Sequence, residues 1–202
     1  KIIPLRVLDG TNSGLYSWMA EAMYYAVDHG AKVINMSLGG SGYSMLLNDA
    51  ADYAYEHNVV IVASMMNFNS NVPYYPAAFD NVIAVGSTDA DDRRSDPFFW
   101  DANSGSCFGN HIDVVAPGNF MYGLSHNSNT NFESYWGGTS QATPLVSGLC
   151  ALMLAQNSDL TPDDLRLIIR ETAEDEVGFG LEDKPGFDVY YGWGRVNAFE
   201  AL

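Results

Sequence analysis

Ala31-Lys32-Val33-Ile34-Asn35-Met36-Ser37, running on into Leu38-Gly39-Gly40, is short, β-branched and closed by glycines, which is how a buried strand reads. Ahead of it, Leu15, Trp18, Met19, Ala22, Met23, Ala26 and Val27 recur at helical spacing, and Gly30 stands where a helix C-cap belongs. Residues 13–29 therefore read as one amphipathic helix. Earlier still, Ile2-Ile3-Pro4-Leu5-Arg6-Val7-Leu8 has the composition of a strand. Strand, helix, strand is the βαβ unit. The alternation continues with a helical pattern over 43–57 and apolar runs at 59–64 and 82–86. It predicts an α/β fold in three layers, a mostly parallel sheet flanked by helices.

Beyond this, residues 89–138 are rich in Pro and Gly, with 112–115 as a strand and Ala116-Pro117-Gly118 as a turn. So long an irregular stretch usually carries function. A helical pattern resumes from Ser140 to about Gln156, and Thr161-Pro162-Asp163-Asp164 opens a last helix with an N-cap Thr, an early Pro and acids on the positive dipole end. The 202 residues are enough for one domain with its own core, and 47% hydrophobic against 17% charged residues excludes disorder as a global state. The most apolar run, 145–155, falls short of the roughly 20 residues a membrane helix needs. With 25 acidic and 9 basic side chains the net charge is −16, so phosphate would be repelled and nucleic acid is not an expected partner. Cys107 and Cys150 form no disulfide framework, and two buried thiols are favoured over one bridge. The chain opens at Lys1 directly on strand-like sequence, without an initiator Met or signal-peptide pattern, and reads as entered midway.

Chemistry concentrates in Gly137-Gly138-Thr139-Ser140-Gln141-Ala142-Thr143-Pro144, which leads straight into an apolar helix. Glycines let backbone approach a ligand closely, and a Ser at a helix mouth is offered exposed N–H groups and a positive field for a developing anion. The same Ser is equally a plain helix cap. The acidic clusters Asp89-Ala90-Asp91-Asp92 and Glu171 to Glu174 match no calcium loop and read as solvated surface. Tyr16, Trp18, Tyr24 and Tyr25 follow helical spacing and need no cofactor to explain them.

The string Gly138-Thr139-Ser140-Gln141-Ala142-Thr143-Pro144 resembles the nucleophile motif of the subtilisin-like serine peptidases. Seven further segments match that family in order: 4–9, 33–40, Val60-Ile61-Val62-Ala63-Ser64-Met65-Met66-Asn67, Tyr75-Pro76-Ala77, 82–86, 113–118 and 192–198. The resemblance implies a serine endopeptidase in which Ser140 attacks a peptide carbonyl and carries the acyl-enzyme. It implies that Asn67 and the Ser140 N–H hold the oxyanion, and that Ser37, Leu38, Gly39 and Gly40 pair with an extended substrate. Read without it, Asn67 is a turn residue and 37–40 a strand-end turn. The family mostly has Gly where this chain has Met66, so Asn67 is either displaced or stands beside a narrowed pocket.

The family's catalytic His and Asp motifs precede the segment matching 2–8, and this chain contains neither. His29, His57, His111 and His126 lie outside the family motifs and read as surface or structural, with His126 the only conceivable substitute base. The chain is thus expected to be a single but incomplete subtilisin-like domain over 1–202, lacking the N-terminal strands and inactive alone. Because the missing strand would lie between 2–8 and 32–37, those two either pair directly or leave a ladder for another chain, giving self-association or strand exchange. No cofactor is implied for the chemistry, while carbonyls of Ala77, Phe79 and Val82 resemble a weak structural calcium site. A secreted, extracellular location follows from the resemblance only. The alternative is a catalytically silent module that binds peptides or assembles through the same cleft.

Overall fold

The computed structural model describes residues 1–125 and 127–202. Strands β1 (Val33–Met36), β2 (Val60–Ser64), β3 (Val82–Thr88) and β4 (Val114–Pro117) lie parallel, side by side in chain order. Val33 stands opposite Val60, Ile61 opposite Val82 and Val85 opposite Val114. Every residue of β2 and β3 is buried. Alternate side chains of a strand point to opposite faces, so a strand apolar throughout needs cover on both.

That cover is split cleanly. Ile61, Ala63, Val82, Ala84 and Val115 face α1 (Tyr16–Asp28) and α2 (Met45–Glu56), packing on Met19, Met23, Leu47 and Ala51. Val60, Val62, Ile83, Val85, Val114 and Ala116 face α3 (Thr139–Gln156) and α4 (Pro162–Glu171), packing on Val146, Leu149, Met153, Leu165 and Ile169. Burying one Val or Leu side chain contributes about 1.5–3 kcal/mol, so these two apolar layers are the main adhesive of the fold. The expected three-layer α/β architecture is present. Cys107 belongs to one layer and Cys150 to the other, so the sheet separates them and both are free thiols.

The helix ends follow local chemistry. The Ser44 hydroxyl accepts the Leu47 N–H at the start of α2. Thr161 and Asp164 form a reciprocal capping box at α4, satisfying two otherwise orphaned donors. Gly30 takes φ +81° just beyond α1, a conformation only glycine adopts freely.

Three expectations need correction. Residues 2–8 form no strand: Ile2 is 92% exposed, and the segment has no ladder partner among the described residues. Val7 and Leu8 pack on the α1/α2 layer, but the segment does not close up on β1, which is left as the sheet edge. A strand needs a neighbour for its backbone groups, and here none lies alongside. Ala116 and Pro117 are not a turn but the end of β4, where the absent Pro N–H is tolerated at the strand terminus. The irregular region also contains an antiparallel hairpin, β5 (Met121–Gly123) with β6 (Ser134–Trp136), too short for its alternation to stand out. A final short helix, α5 (Ala198–Ala201), follows Asn197, whose side chain caps it.

Candidate active site

Ser140 is the second residue of α3, behind the N-cap Gly138 at φ +146°. A Cβ on Gly138 would come within 3.1 Å of the Asn67 side chain, so glycine is what lets the two segments approach. Asn67 follows the end of β2 by three residues and is brought to the helix mouth by the parallel sheet. Its Oδ1 accepts both the Thr139 N–H at 2.8 Å and the Thr139 hydroxyl at 2.9 Å. With the oxygen pinned this way, Nδ2 is turned the other way and donates to no described residue. The Ser140 N–H is likewise unbonded among the described residues, as expected for the first turn of a helix. Two free donors therefore stand at the positive end of an 18-residue helix, where negative charge is favoured.

The backbone of the Asn67 loop is held from beneath. The Cys107 N–H bonds the Met66 carbonyl at 3.0 Å, the Gly105 N–H the Asn67 carbonyl at 3.1 Å, and the Asn69 N–H the Gly105 carbonyl at 2.9 Å. Beyond it, Arg94 donates to Asn69 Oδ1 and to the Ser106 carbonyl, both at 2.8 Å, and pairs with Asp96 and Glu182.

The other wall is residues 37–40. The Ser140 hydroxyl donates to the Ser37 carbonyl at 3.1 Å, and the Ser37 hydroxyl donates back to the Ser140 carbonyl at 2.9 Å. The second bond exists because of Pro144: lacking an N–H, it cannot bond the carbonyl four residues earlier, and the Ser37 hydroxyl takes that place. Ser147 donates to Asn35 Oδ1 and Asn35 Nδ2 to the Ser37 hydroxyl, a polar chain that fixes the wall against α3. Gly40 exchanges two backbone hydrogen bonds with Tyr75, at 2.9 and 2.8 Å. Gly39, pointing its groups the opposite way, keeps its N–H and carbonyl unpaired among the described residues. Leu38 packs into the α1/α2 layer. A groove of about 520 Å³ runs alongside, between residues 37–40 and Met66 on one side and Leu8, Gly14, Tyr16 and Met19 on the other.

The groove is lined by Ser37, Leu38, Gly39 and Gly40, Ser140 is bonded to Ser37 next to it, and Asn67 is bonded to Thr139, the residue before Ser140. Among the described residues no histidine accompanies them. His29 and His57 sit at helix C-caps with Nδ1 on the Tyr25 and Tyr53 carbonyls. His111 lies by Asp80, Asn110 and Arg166 in a separate pocket. Burial holds its pKa below the ordinary histidine value, partly offset by Asp113, and its Nε2 has no partner among the described residues. The substitute base considered at His126 lies outside the described residues. The acidic clusters are tied up structurally: Asp92 and Glu174 both pair with Arg195, and Asp89 accepts from Asn119. Among the described residues no group of three His, Cys, Asp or Glu side chains is placed to hold a metal.

Ser140 thus stands in the first turn of α3, Asn67 is bonded to its neighbour Thr139, and Ser37 is bonded to Ser140. The profile of the Subtilase family matches residues 1–194. The chain belongs to the subtilase family. It is 37% identical over 201 residues to thermitase of Thermoactinomyces vulgaris, covering 100% of this chain and 64% of that protein. It is 36% identical over 197 residues to subtilisin DY of Bacillus licheniformis, covering 96% and 65%. A third relative is the cell wall-associated protease of Bacillus subtilis (strain 168), 36% identical over 219 residues, covering 100% and 23%. The chain therefore spans less than two thirds of each of these subtilases. Two further contacts near Ser140, Thr139 on the Asn67 oxygen and Trp100 donating to the Gly137 carbonyl at 2.9 Å, were not legible in sequence. They join positions far apart in the chain, with no local signal.

Proposed function

We propose that this subtilase chain carries the nucleophile and oxyanion half of a serine endopeptidase active site, as one incomplete domain over residues 1–202. The observation that carries the reading is the pinned amide of Asn67 at the N-terminus that presents Ser140. A peptide laid along Gly39 would bring its carbonyl carbon to Ser140 Oγ. As the Ser140 Oγ–H loses its proton and the new Oγ–C bond forms, charge develops on the carbonyl oxygen, where Asn67 Nδ2 and the Ser140 N–H can donate. Collapse expels the amine, which takes up the proton, and water then cleaves the acyl-serine by the reverse order of steps. The proton transfers need a base. Ser140 Oγ is bonded to a carbonyl instead, and the family's Asp and His motifs are absent from this sequence, so the isolated chain is expected to be inactive. The chemistry needs no cofactor. Calcium at the carbonyls of Ala77, Phe79 and Val82 would be structural and weakly held, because the Arg166 guanidinium already sits on the neighbouring Asp80 carbonyl.

The substrate class is peptide or protein, and the setting extracellular, a reading supported by the name of one relative, the cell wall-associated protease of Bacillus subtilis (strain 168). The same Ser140 to Ser37 contact supports a second reading, a silent peptide-binding or assembly module. The unpaired edge at β1 supports self-association or strand exchange in either case. A fluorophosphonate probe decides. We expect Ser140 labelling only after an N-terminal segment bearing the Asp and His motifs is supplied. Labelling no faster than in the unfolded chain under that condition would end the peptidase reading. A strictly monomeric species at high concentration in solution scattering would end the association reading.

A further inference from the structure

We propose that Met66 sets the size of side chain this cleft accepts beside Ser140, restricting it to peptides with glycine or alanine there. The proposal rests on the peptidase reading for where the peptide is cut, and on geometry for which peptide fits. Met66 has φ +74°, a left-handed conformation rare for a residue with a long side chain. A strained position in a cleft is retained where the surrounding contacts over-determine it, and here the backbone carbonyl is held by the Cys107 N–H while the side chain makes contacts of its own. The Ser64 hydroxyl reaches the Met66 sulfur at 3.7 Å. On the far side that sulfur stands 3.3 Å from the point a Cβ on Gly39 would occupy. The thioether thus crosses from the end of β2 to the backbone of Gly39, bridging the slot between the two walls. Asn67 directly follows Met66 on one wall, and Ser140 is bonded to Ser37, two residues before Gly39, on the other. Gly39 is also the residue with free backbone groups, and side chains of a paired strand alternate. A peptide residue whose carbonyl lies between Ser140 Oγ and Asn67 Nδ2 therefore sends its side chain into the slot, where Met66 already is.

The test measures binding, which needs no base. Acetylated tetrapeptides ending in Gly, Ala, Leu or Phe are titrated into the full chain by calorimetry, for the natural sequence, Met66→Gly and Met66→Leu. The natural protein is expected to bind the Ala peptide about tenfold or more tightly than the Phe peptide, the scale on which methylene-sized misfits are rejected. Met66→Gly is expected to abolish or invert that ratio by strengthening Phe and Leu binding about tenfold. Met66→Leu, which keeps the bulk without sulfur, is expected to retain it. Glycine suits φ +74°, so Met66→Gly should fold, and circular dichroism checks this. Equal affinity for Phe and Ala in the natural protein, an unchanged ratio in Met66→Gly, or no binding of any peptide would overturn the proposal. Failure of Ser140 labelling with the N-terminal segment present would overturn the peptidase reading instead, leaving the binding order standing.

Discussion

Truncating Arg94 to alanine removes a guanidinium that is 5% exposed and whose donors are all used. Nε and Nη2 reach Glu182 at 3.1 and 2.9 Å, Nη2 reaches Asp96 at 2.8 Å, and Nη1 serves Asn69 and the Ser106 carbonyl. The rings of Phe108 and Tyr190 lie 5.4 and 5.3 Å from its centre. Breaking a buried charge pair from one side costs about 3–5 kcal/mol. The acids retain partial exposure, 26% for Glu182 and 35% for Asp96, so water recovers part of that. The expected loss for Arg94→Ala is therefore about 3 kcal/mol, the lower end of that range. For a chain of this length it corresponds to roughly 6–12 °C in Tm. Arg94→Lys keeps the charge but not the fork and should fall between the two. Urea unfolding followed by the fluorescence of the four tryptophans measures it. A surface pair would contribute less than about 1 kcal/mol and fade in salt. A loss that small, or one that vanishes at high salt, refutes the reasoning. Because Asn69 follows Asn67 by two positions, the same variant should also loosen the oxyanion wall.

Asn67→Asp keeps an oxygen for Thr139 but replaces the donor with an acceptor. In the complemented enzyme, peptide hydrolysis should fall by roughly 10²–10³, a size known for the corresponding donor in subtilisin itself rather than worked out from this geometry; a loss under threefold contradicts the assignment. For His111, burial depresses the folded pKa, so the unfolded chain binds more protons once pH drops below the ordinary value of 6.5. Stability should then decline as pH falls from 6.5 toward the depressed value and level off below it. Unfolding curves of His111→Gln should decline less steeply over that window, and identical slopes would show that His111 titrates normally. Burial pushes the Cys150 thiol up to about 12, and Cys107 is also buried and free. A thiol reagent at neutral pH should modify neither in the native chain and both in denaturant; fast native labelling would contradict the packing.

Much of this was legible in the chain itself. The helices at 16–28 and 45–56 and the strands at 60–64 and 82–88 betray themselves by the spacing of apolar residues, because each must bury its own surface. The glycines around Ser140 and the Thr161 cap are local signals of the same kind. Residues 2–8 read as a strand and are not one, since strand composition acquires meaning only beside a partner. The β5–β6 hairpin escaped notice because three residues hold too little periodicity.

The sequence by itself determined the layers, favoured two free thiols over a bridge, and singled out Ser140, Asn67 and residues 37–40 as candidate site residues. Only the tertiary structure decided how those groups are aimed. The Thr139 contacts that turn the Asn67 amide span 72 positions, and the Ser37 hydroxyl on the carbonyl left free by Pro144 spans 103. The physical reason is one of range. Periodicity records what each segment must hide from water, whereas the direction of an amide or a thioether depends on hydrogen bonds and steric limits between distant segments that only the packed sheet brings together.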